Sequence, residues 1–323
     1  MISIEIEDVP DDQWNERLLK INTGTFFQTK EFGQSKKLVG YKPQFMKFVD
    51  NNGRITGQLL LFLIPTKNKI IKKLHNLSFK NRPLIRWFYG PIIFDEKNFI
   101  EIKKKLFDYL LSNNYKVWGS VTPIDNFSSA FGYPFTIQNW STFILDLINS
   151  RDSLWEKLDK HSARKNIERA EKKDVSIKKM QKSDLLIYNN INDNTIFEKN
   201  EKISLLGKHW DILQPIGYHG MLAYKEGIPI GGIKFCSFNG YIYEFEIART
   251  KQDSMEKLYS QDLLKWKVIE WGLENNLRYY DLGGINPDPR TEKEMGIYRY
   301  KKKWGGKKID YPILKFGLKK TSL

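Results

Sequence analysis

Residues 279–306 combine side chains that could stabilise a developing negative charge. The sequence predicts a strand that ends in Asp-Leu-Gly-Gly (281–284), a polar loop, and a short basic and aromatic helix closed by a glycine pair. Two glycines at the end of a strand allow a ligand or another backbone to approach closely. Lys301, on a helix facing that strand end, could stabilise the oxyanion of an acyl-transfer reaction. A β-turn followed by a surface helix with solvated lysines is an equally good interpretation of the spacing.

Other kinds of catalytic centre lack their residues in this sequence. The four histidines have no metal-ligand spacing with one another or with the single cysteine, Cys236. Cys236 lies in an apolar strand pattern, where a thiol is usually buried and inert. The sequence contains no G-x-S-x-G elbow, no phosphate-binding P-loop and no G-x-G-x-x-G fingerprint. We therefore expect no metal site, and hydrolase, P-loop and dehydrogenase mechanisms are not supported.

The elements that would position the basic helix and its strand occur twice along the chain. Hairpins with glycine-containing turns are predicted over residues 48–62 and 222–235. Each is followed by a helix with apolar residues at three- and four-residue spacing, ending at an Asn-Asn pair (113–114 and 275–276), and then by a strand. Because hairpin, helix and strand recur in the same order, we predict an α/β (α+β) protein with two domains of similar plan.

The boundary between the two domains is predicted near residues 146–151, where a strand gives way to a polar Asn-Ser pair. We assign residues 1–148 to the first domain and residues 149–308 to the second. Residues 309–323 form a C-terminal strand that could return to the first domain.

A basic helix is predicted at the start of the second domain. Ser153-Leu-Trp-Glu156 matches a capping box, in which the hydroxyl and the carboxylate accept hydrogen bonds from backbone N–H groups. The helix is expected to run to about Lys172, and its polar face is crowded with lysine and arginine. Two further basic zones occupy residues 54–94 and 299–320.

The chain as a whole carries a formal net charge of +15. A charge of this size favours an anionic partner such as nucleic acid, anionic lipid or a phosphorylated substrate, although basic residues also serve solubility alone. A single cysteine excludes an internal disulfide, and the sequence shows neither a secretory signal nor an apolar run long enough for a bilayer. We therefore expect a cytoplasmic protein whose basic faces could contact a membrane surface.

Four segments, taken in order, resemble motifs of the FemABX peptidyltransferase family. They are Phe26–Phe32 with its central glutamine, Tyr89–Ile93 with its Gly-Pro pair, the helix from Leu154 to Ala170, and the stretch 279–306. The match spans nearly the whole chain. The family is similar to the GCN5-related N-acetyltransferases (GNAT), with two such domains in tandem. The resemblance therefore implies two tandem GNAT-like domains with mixed central sheets flanked by helices.

The resemblance also implies a reaction. Family members transfer an amino acid from aminoacyl-tRNA to an amine in the stem peptide of a peptidoglycan precursor, which is a UDP-linked or lipid-linked muropeptide. This would be a step of cell-wall biogenesis that bears on cell shape. It implies no cofactor, peripheral contact with the inner membrane surface, and a monomer, since the compact two-domain plan needs no partner to bury its core.

Family roles carry over to individual positions of this sequence. Lys301, which follows the aromatic Tyr300, matches the family lysine proposed to stabilise the oxyanion. Basic residues fall where the family contacts the precursor's phosphates, with Lys36 and Lys37 as alternative readings of one contact. The full set of predicted substrate-binding residues is Lys36, Lys37, Arg164, Gly90, Asp281, Gly283 and Gly284.

One departure concerns the donor. Acetyl-CoA-binding acetyltransferases carry an [RQ]-x-x-G-x-[GA] loop whose glycines let backbone amides hold a pyrophosphate. The corresponding residues 249–258 contain neither glycine, which argues against acetyl-CoA. Two alternatives stay open beside the aminoacyltransferase: a CoA- or carrier-dependent N-acyltransferase acting on another amine, and a non-catalytic protein that binds RNA or an anionic surface through its basic helix.

Overall fold

A computed structural model describes residues 1–64, 82–123, 135–192 and 199–318, without the side chains of residues 192 and 199–203. The chain packs into two compact units. The first comprises Met1–Trp140 and Asp310–Leu323, and the second comprises Ser141–Ile309. The domain division predicted from the sequence, at residues 148 and 308, stays a prediction.

The elements alternate between strands and helices along the chain. In the first part of the chain they are β1 (Ser3–Glu7), α1 (Trp14–Leu19), α2 (Lys30–Lys37), β2 (Lys42–Val49), β3 (Ile55–Ile64), β4 (Leu84–Trp87), β5 (Ile92–Ile93), α3 (Phe99–Ser112), β6 (Lys116–Ser120) and β7 (Thr136–Asp146). In the second part they are α4 (Arg151–Lys157), α5 (Lys165–Lys172), β8 (Ser176–Lys179), α6 (Leu185–Asn192), α7 (Lys199–Leu213), β9 (Tyr218–Lys225), β10 (Ile228–Phe238), β11 (Tyr241–Arg249), α8 (Lys251–Met255), α9 (Ser260–Glu274), β12 (Tyr279–Ile285), α10 (Glu292–Lys302) and β13 (Lys307–Phe316).

The sheet of the first unit has the strand order β1-β2-β3-β4-β6-β13, and the short β5 pairs with β3. Among these pairs only β4 and β6 run parallel, and α3 lies between these two strands in sequence. The helix buries one face because Ile102, Leu106 and Leu110 recur every four residues. They pack against Phe48 and Leu59 of the sheet in one apolar core.

The second unit repeats this plan, with the strand order β7-β12-β11-β10-β9-β8. Its parallel pair is β11 and β12, and α9 lies between them in sequence. α9 buries Leu264, Val268 and Ile269 against the main core of the unit, while α6 and α7 cover the opposite face around Tyr188 and Trp210. The mixed α/β fold with duplicated units, predicted from the recurring order of elements, is confirmed.

The Asn-Asn pairs end their helices as predicted. Asn113 and Asn275 occupy the C-cap positions of α3 and α9. The second asparagine of each pair adopts a positive φ, 59° at Asn114 and 53° at Asn276. Asparagine tolerates this left-handed conformation better than most residues, so each pair stops a helix and redirects the chain into the parallel strand.

The predicted continuous helix from Ser153 to Lys172 is wrong. The N-cap is Ser150, whose hydroxyl accepts a hydrogen bond from the backbone of Ser153 at 3.2 Å. α4 ends at Lys157, a π-helical turn follows over Lys160–Arg164, and α5 then begins. The interruption arises at Asp159, whose carboxylate caps the π-turn and whose N–H donates to the carbonyl of Lys303 at 2.9 Å. A tertiary hydrogen bond and a new cap therefore outweigh the helical pattern.

Among the described residues, no helix has the length and apolar character needed to cross a membrane.

Candidate active site

A cleft of about 590 Å³, which we call the reaction cleft, lies in the second unit, where β11 and β12 diverge. The two parallel strands pair only from Tyr241–Tyr279 to Tyr243–Asp281, although both continue for several residues. The cleft is lined by backbone and side chains beyond that point, residues 244–247 and 282–284, and by the facing side of α10. Ending the ladder early therefore opens a sheet edge to a ligand.

The Asp-Leu-Gly-Gly turn of β12 shapes one wall of the cleft. Gly283 has φ 78°, in the region that favours glycine, and the pairing of β12 with β7 shifts register between Asp281 and Gly284. The carboxylate of Asp281 accepts hydrogen bonds from the N–H of Gly283 at 2.8 Å and from the hydroxyl of Thr142. Asp281 is buried and does not line the cleft; its hydrogen bonds stabilise the register shift of β12.

Lys301 lines the cleft from α10. Its Nζ donates to the carbonyl oxygens of Gly283 at 2.9 Å and Gly284 at 3.2 Å. Burial, and to a lesser degree the Lys265 ammonium, lower the pKa of Lys301 to about 8, while Glu244 opposes the shift. An ammonium has three N–H donors, so the two backbone contacts fix the group and leave one donor for an oxygen in the cleft.

α10 begins with a capping box that was not predicted from the sequence. The hydroxyl of Thr291 accepts from the N–H of Glu294 at 3.2 Å, and the Glu294 carboxylate accepts from the N–H of Thr291 at 3.0 Å. Hydrogen bonds lower the pKa of Glu294 to about 2, and the one from the Asn286 amide contributes most to this shift. The Thr-x-x-Glu pattern at residues 291–294 is the sequence signal that would have predicted this helix start.

Tyr300 is held next to Lys301 by two cations. The Nζ atoms of Lys265 and Lys303 lie 4.7 and 4.5 Å from the centre of its ring, which is the range of cation–π contacts. Lys303 also pairs with Asp262. Tyr300 therefore has a fixed position in the wall of the cleft.

A buried ion pair supports this arrangement from behind. Lys265 is fully buried on α9 and pairs with Glu244 at 2.8 Å, and the hydroxyl of Tyr280 donates to the same carboxylate at 2.6 Å. Glu244 also lines the cleft. This pair was not predicted from the sequence, although a lysine between Leu264 and Val268 on an apolar helix face indicates a buried partner.

The first unit holds three of the predicted substrate-binding residues. Lys36 is partly buried, with its Nζ 5.1 Å from the ring centre of Phe32, and burial together with Arg86 lowers its pKa. Lys37 is exposed. Gly90 packs against Gln28, since a Cβ added there would lie 2.9 Å from the amide nitrogen of that side chain. Arg86, which was not predicted as a site residue, lies beside Lys36.

Arg164 ends the π-helical turn and does not line the cleft. Its Nε is buried and has no hydrogen-bond partner within the described part of the chain. Cys236 is fully buried, and this burial raises the pKa of its thiol. In the ranges that the structure describes, no group of His, Cys, Asp and Glu side chains could hold a metal ion; His75 and residues 65–81 of the first basic zone lie outside those ranges.

Several solved structures are similar to this chain along nearly its full length. FemX superposes with a TM-score of 0.70 at 12% identity, covering 95% of this chain and 96% of its own. A tandem GNAT protein from the clavulanic acid biosynthesis pathway gives 0.60 at 11% identity, with 98% of each chain covered. L-PGS from Bacillus licheniformis gives 0.58 at 14% identity, with 99% and 95% covered.

No protein-family model matches the sequence, and no curated protein matches it significantly. At these identities the structural likeness establishes the fold. The chain has the tandem GNAT architecture of FemX, and the FemABX-like fold predicted from the four motifs is confirmed.

Proposed function

We propose that this chain transfers an amino acid from aminoacyl-tRNA to an amine of a peptidoglycan-precursor stem peptide. The observation that carries the proposal is the ammonium group of Lys301, which lines the cleft while two backbone carbonyls hold it. The fold shared with FemX supports the same chemistry. In this proposal Lys301 and Tyr300 contact the reacting groups.

The proposed reaction is the aminolysis of an ester. The acceptor nitrogen forms a bond to the ester carbon, and the carbonyl π electrons move to the oxygen to give a tetrahedral oxyanion. When the C=O bond re-forms, the bond to the ribose oxygen of the tRNA breaks, and the proton lost by nitrogen ends on that oxygen. The reaction requires orientation and a site for negative charge, which a fixed ammonium in a cleft provides.

The protonation state of Lys301 fits this role. Because its pKa is lowered only to about 8, the ammonium form predominates at neutral pH. Its remaining N–H can then donate to the oxyanion. Glu244 acts against a further fall of this pKa, so the buried ion pair behind the cleft keeps the charge available.

The loop before α9 supports an RNA ester over acyl-CoA as the donor. The buried Asp253 carboxylate accepts a hydrogen bond from the N–H of Ser260, the first residue of α9, at 2.9 Å. In acetyl-CoA-binding acetyltransferases, glycine-loop amides at this place hold a pyrophosphate. A carboxylate that already occupies the helix N-terminus would repel that pyrophosphate.

Two neighbouring cations in the first unit support the proposal that the acceptor substrate is phosphorylated. Lys36 and Arg86 are both partly buried, and neither has an acidic partner within 4 Å among the described residues. Two neighbouring cations of this kind favour binding of a pyrophosphate, which UDP-linked and lipid-linked muropeptides contain. We extend the proposal to a monomeric cytoplasmic enzyme that needs no cofactor and contacts the inner membrane surface when its acceptor is lipid-linked.

Transfer of radiolabelled amino acids from a mixture of charged tRNAs to a UDP-linked muropeptide tests the proposal. We expect Lys301→Ala to lower the transfer rate by roughly 100-fold or more, as loss of an oxyanion donor does. Affinity for deacylated tRNA should change less than twofold. Lys251→Ala, which removes an exposed charge on α8, is the matched control and should transfer at the unaltered rate.

The outcomes separate the alternatives. Full activity of Lys301→Ala contradicts the assigned role of the lysine. Consumption of acyl-CoA without transfer from any charged tRNA favours the CoA-dependent N-acyltransferase. Binding of tRNA with neither reaction favours a non-catalytic RNA-binding protein.

A further inference from the structure

A second cleft, of about 680 Å³, lies on the other side of Tyr300 from Lys301, between the ends of α4 and α10. We call it the basic cleft. Four of its lining residues are cationic, and none is aliphatic; the cationic residues are Lys157, Arg299, Lys302 and Lys303. The remaining lining residues are Asp159, Ser162 and Tyr300.

The walls of the basic cleft are tied together by backbone contacts. The N–H of Asp159 donates to the carbonyl of Lys303 at 2.9 Å. Gly305, with φ 75°, approaches the end of α4 so closely that an added Cβ would lie 2.4 Å from the carbonyl oxygen of Lys157. The spacing between Lys157 and the last turn of α10 is therefore set by the fold and does not depend on flexible side chains alone.

Of the four cations of the basic cleft, Lys303 is neutralised by its ion pair with Asp262, and the positive charge of the other three is largely uncompensated. Lys157 and Lys302 are exposed and have no acidic partner within 4 Å in the described part of the chain. Arg299 reaches Glu292 only at 3.8 Å, and both side chains are exposed. The single carboxylate of the lining, Asp159, is already engaged by the π-turn, where it accepts from the hydroxyl of Ser162 at 2.7 Å and from two backbone N–H groups.

We propose that the basic cleft binds the phosphodiester backbone of the donor RNA next to its aminoacylated end. This inference rests on the proposed function. Tyr300 lines both clefts, so one turn of α10 presents Lys301 to the reaction cleft and Arg299 and Lys302 to the basic cleft. An RNA strand whose phosphates lie along the basic cleft can extend past Tyr300, so that its terminal ester lies next to Lys301.

The shape and lining favour an RNA strand over a membrane. The basic cleft is concave, whereas a bilayer presents a broad surface that a flat or convex face would contact. Stable binding at a bilayer also uses exposed apolar side chains that enter the interface, and the lining contains none that is aliphatic. A row of cations in a groove suits the regular charges of a phosphodiester chain.

The test compares the double variant Lys157→Ala/Lys302→Ala with the control Lys104→Ala/Lys251→Ala, which removes the same charge from exposed positions elsewhere. Binding of bulk deacylated tRNA is measured between 50 and 300 mM KCl. Loss of two phosphate contacts should weaken binding about 25- to 60-fold at ~0.1 M salt. The plot of the logarithm of the association constant against log salt should become less steep, its negative slope shrinking by about 1.5. The control should do neither.

Lys157→Arg/Lys302→Arg should retain affinity within about threefold, because phosphates need positive charge here more than a particular side chain. Unchanged melting temperatures show that the variants fold. Equal weakening by the test and control variants overturns the inference, and so does loss of binding to phosphatidylglycerol vesicles without loss of tRNA binding.

The readouts separate this inference from the proposed function. If the Lys157→Ala/Lys302→Ala variant loses tRNA affinity but the intact protein aminoacylates no muropeptide, the basic cleft binds RNA and the proposed function is wrong. If the intact protein is active and this variant keeps the same KM for charged tRNA, the proposed function stands and the basic-cleft inference is overturned.

Discussion

Replacing Lys265 by methionine isolates the energetics of the ion pair behind the reaction cleft. Lys265 is fully buried and Glu244 nearly so, with side-chain exposures of 0% and 7% and a separation of 2.8 Å. Removing the lysine leaves a buried carboxylate whose remaining hydrogen bond comes from Tyr280. Removing one partner of such a pair costs about 3–5 kcal/mol of unfolding free energy, because the other charge stays desolvated.

Glu244→Gln should destabilise the protein in the same way, since it leaves the Lys265 ammonium without its carboxylate. The double variant, Lys265→Met with Glu244→Gln, removes both charges and should cost less than either single change. We expect a coupling energy of about 2–4 kcal/mol in the double-mutant cycle. For a unit of this size, each single change should lower the melting temperature by roughly 10 °C.

Urea unfolding followed by tryptophan fluorescence measures these free energies, because Trp266 and Trp304 are buried near the pair. The midpoints should move while the slope m stays constant, which marks a change of stability without a change of the surface exposed. Single variants that each cost below about 1 kcal/mol would be typical of a solvent-screened pair and would refute the reasoning, as would strictly additive costs.

Two further predictions concern the reaction cleft. The pKa of Lys301 is lowered to about 8, so its ammonium form is present below pH 8 and lost above it. The transfer rate, divided by the fraction of acceptor amine that is unprotonated, should therefore fall about tenfold per pH unit above pH 8. In Lys301→Arg this decline should disappear, and an identical decline would assign it to another group. Gly283→Ala should cost about 1–2 kcal/mol of stability because of the positive φ, and should slow transfer by displacing the carbonyl that holds Lys301. Gly296→Ala, at a helical glycine with open space around it, should instead stabilise α10, and equal effects of both changes on unfolding would contradict the strain argument.

Local signals in the sequence predicted most of the elements. The hairpins, α3, α9 and their asparagine ends follow from periodicity and from the conformations that individual residues tolerate, which act over a few positions. The interruption of the basic helix at Asp159 could not be predicted in this way, since it depends on a hydrogen bond to Lys303, which is remote in sequence.

The candidate site was predicted only in part for the same reason. Lys301, Tyr300 and the glycines of β12 share one segment, and the structure brings them together at the reaction cleft. Glu244 and Lys265 come from β11 and α9, and only the fold makes them neighbours. Asp281 was expected to contact substrate, yet its carboxylate accepts hydrogen bonds from the Thr142 hydroxyl and the Gly283 N–H. A residue type suggests a chemistry, but its partners decide whether that chemistry is available.

The pairing of β13 with β6 has a consequence for biosynthesis. Residues 310–323 belong to the first unit, and Ile313–Phe316 pair with β6 along its free edge. A ribosome therefore synthesises every strand of the second unit before it completes β13, the last strand of the first unit. During that interval β6 presents unpaired backbone N–H and C=O groups, which are a template for mispairing with other nascent chains. The later-made unit can thus complete its fold before the earlier-made one.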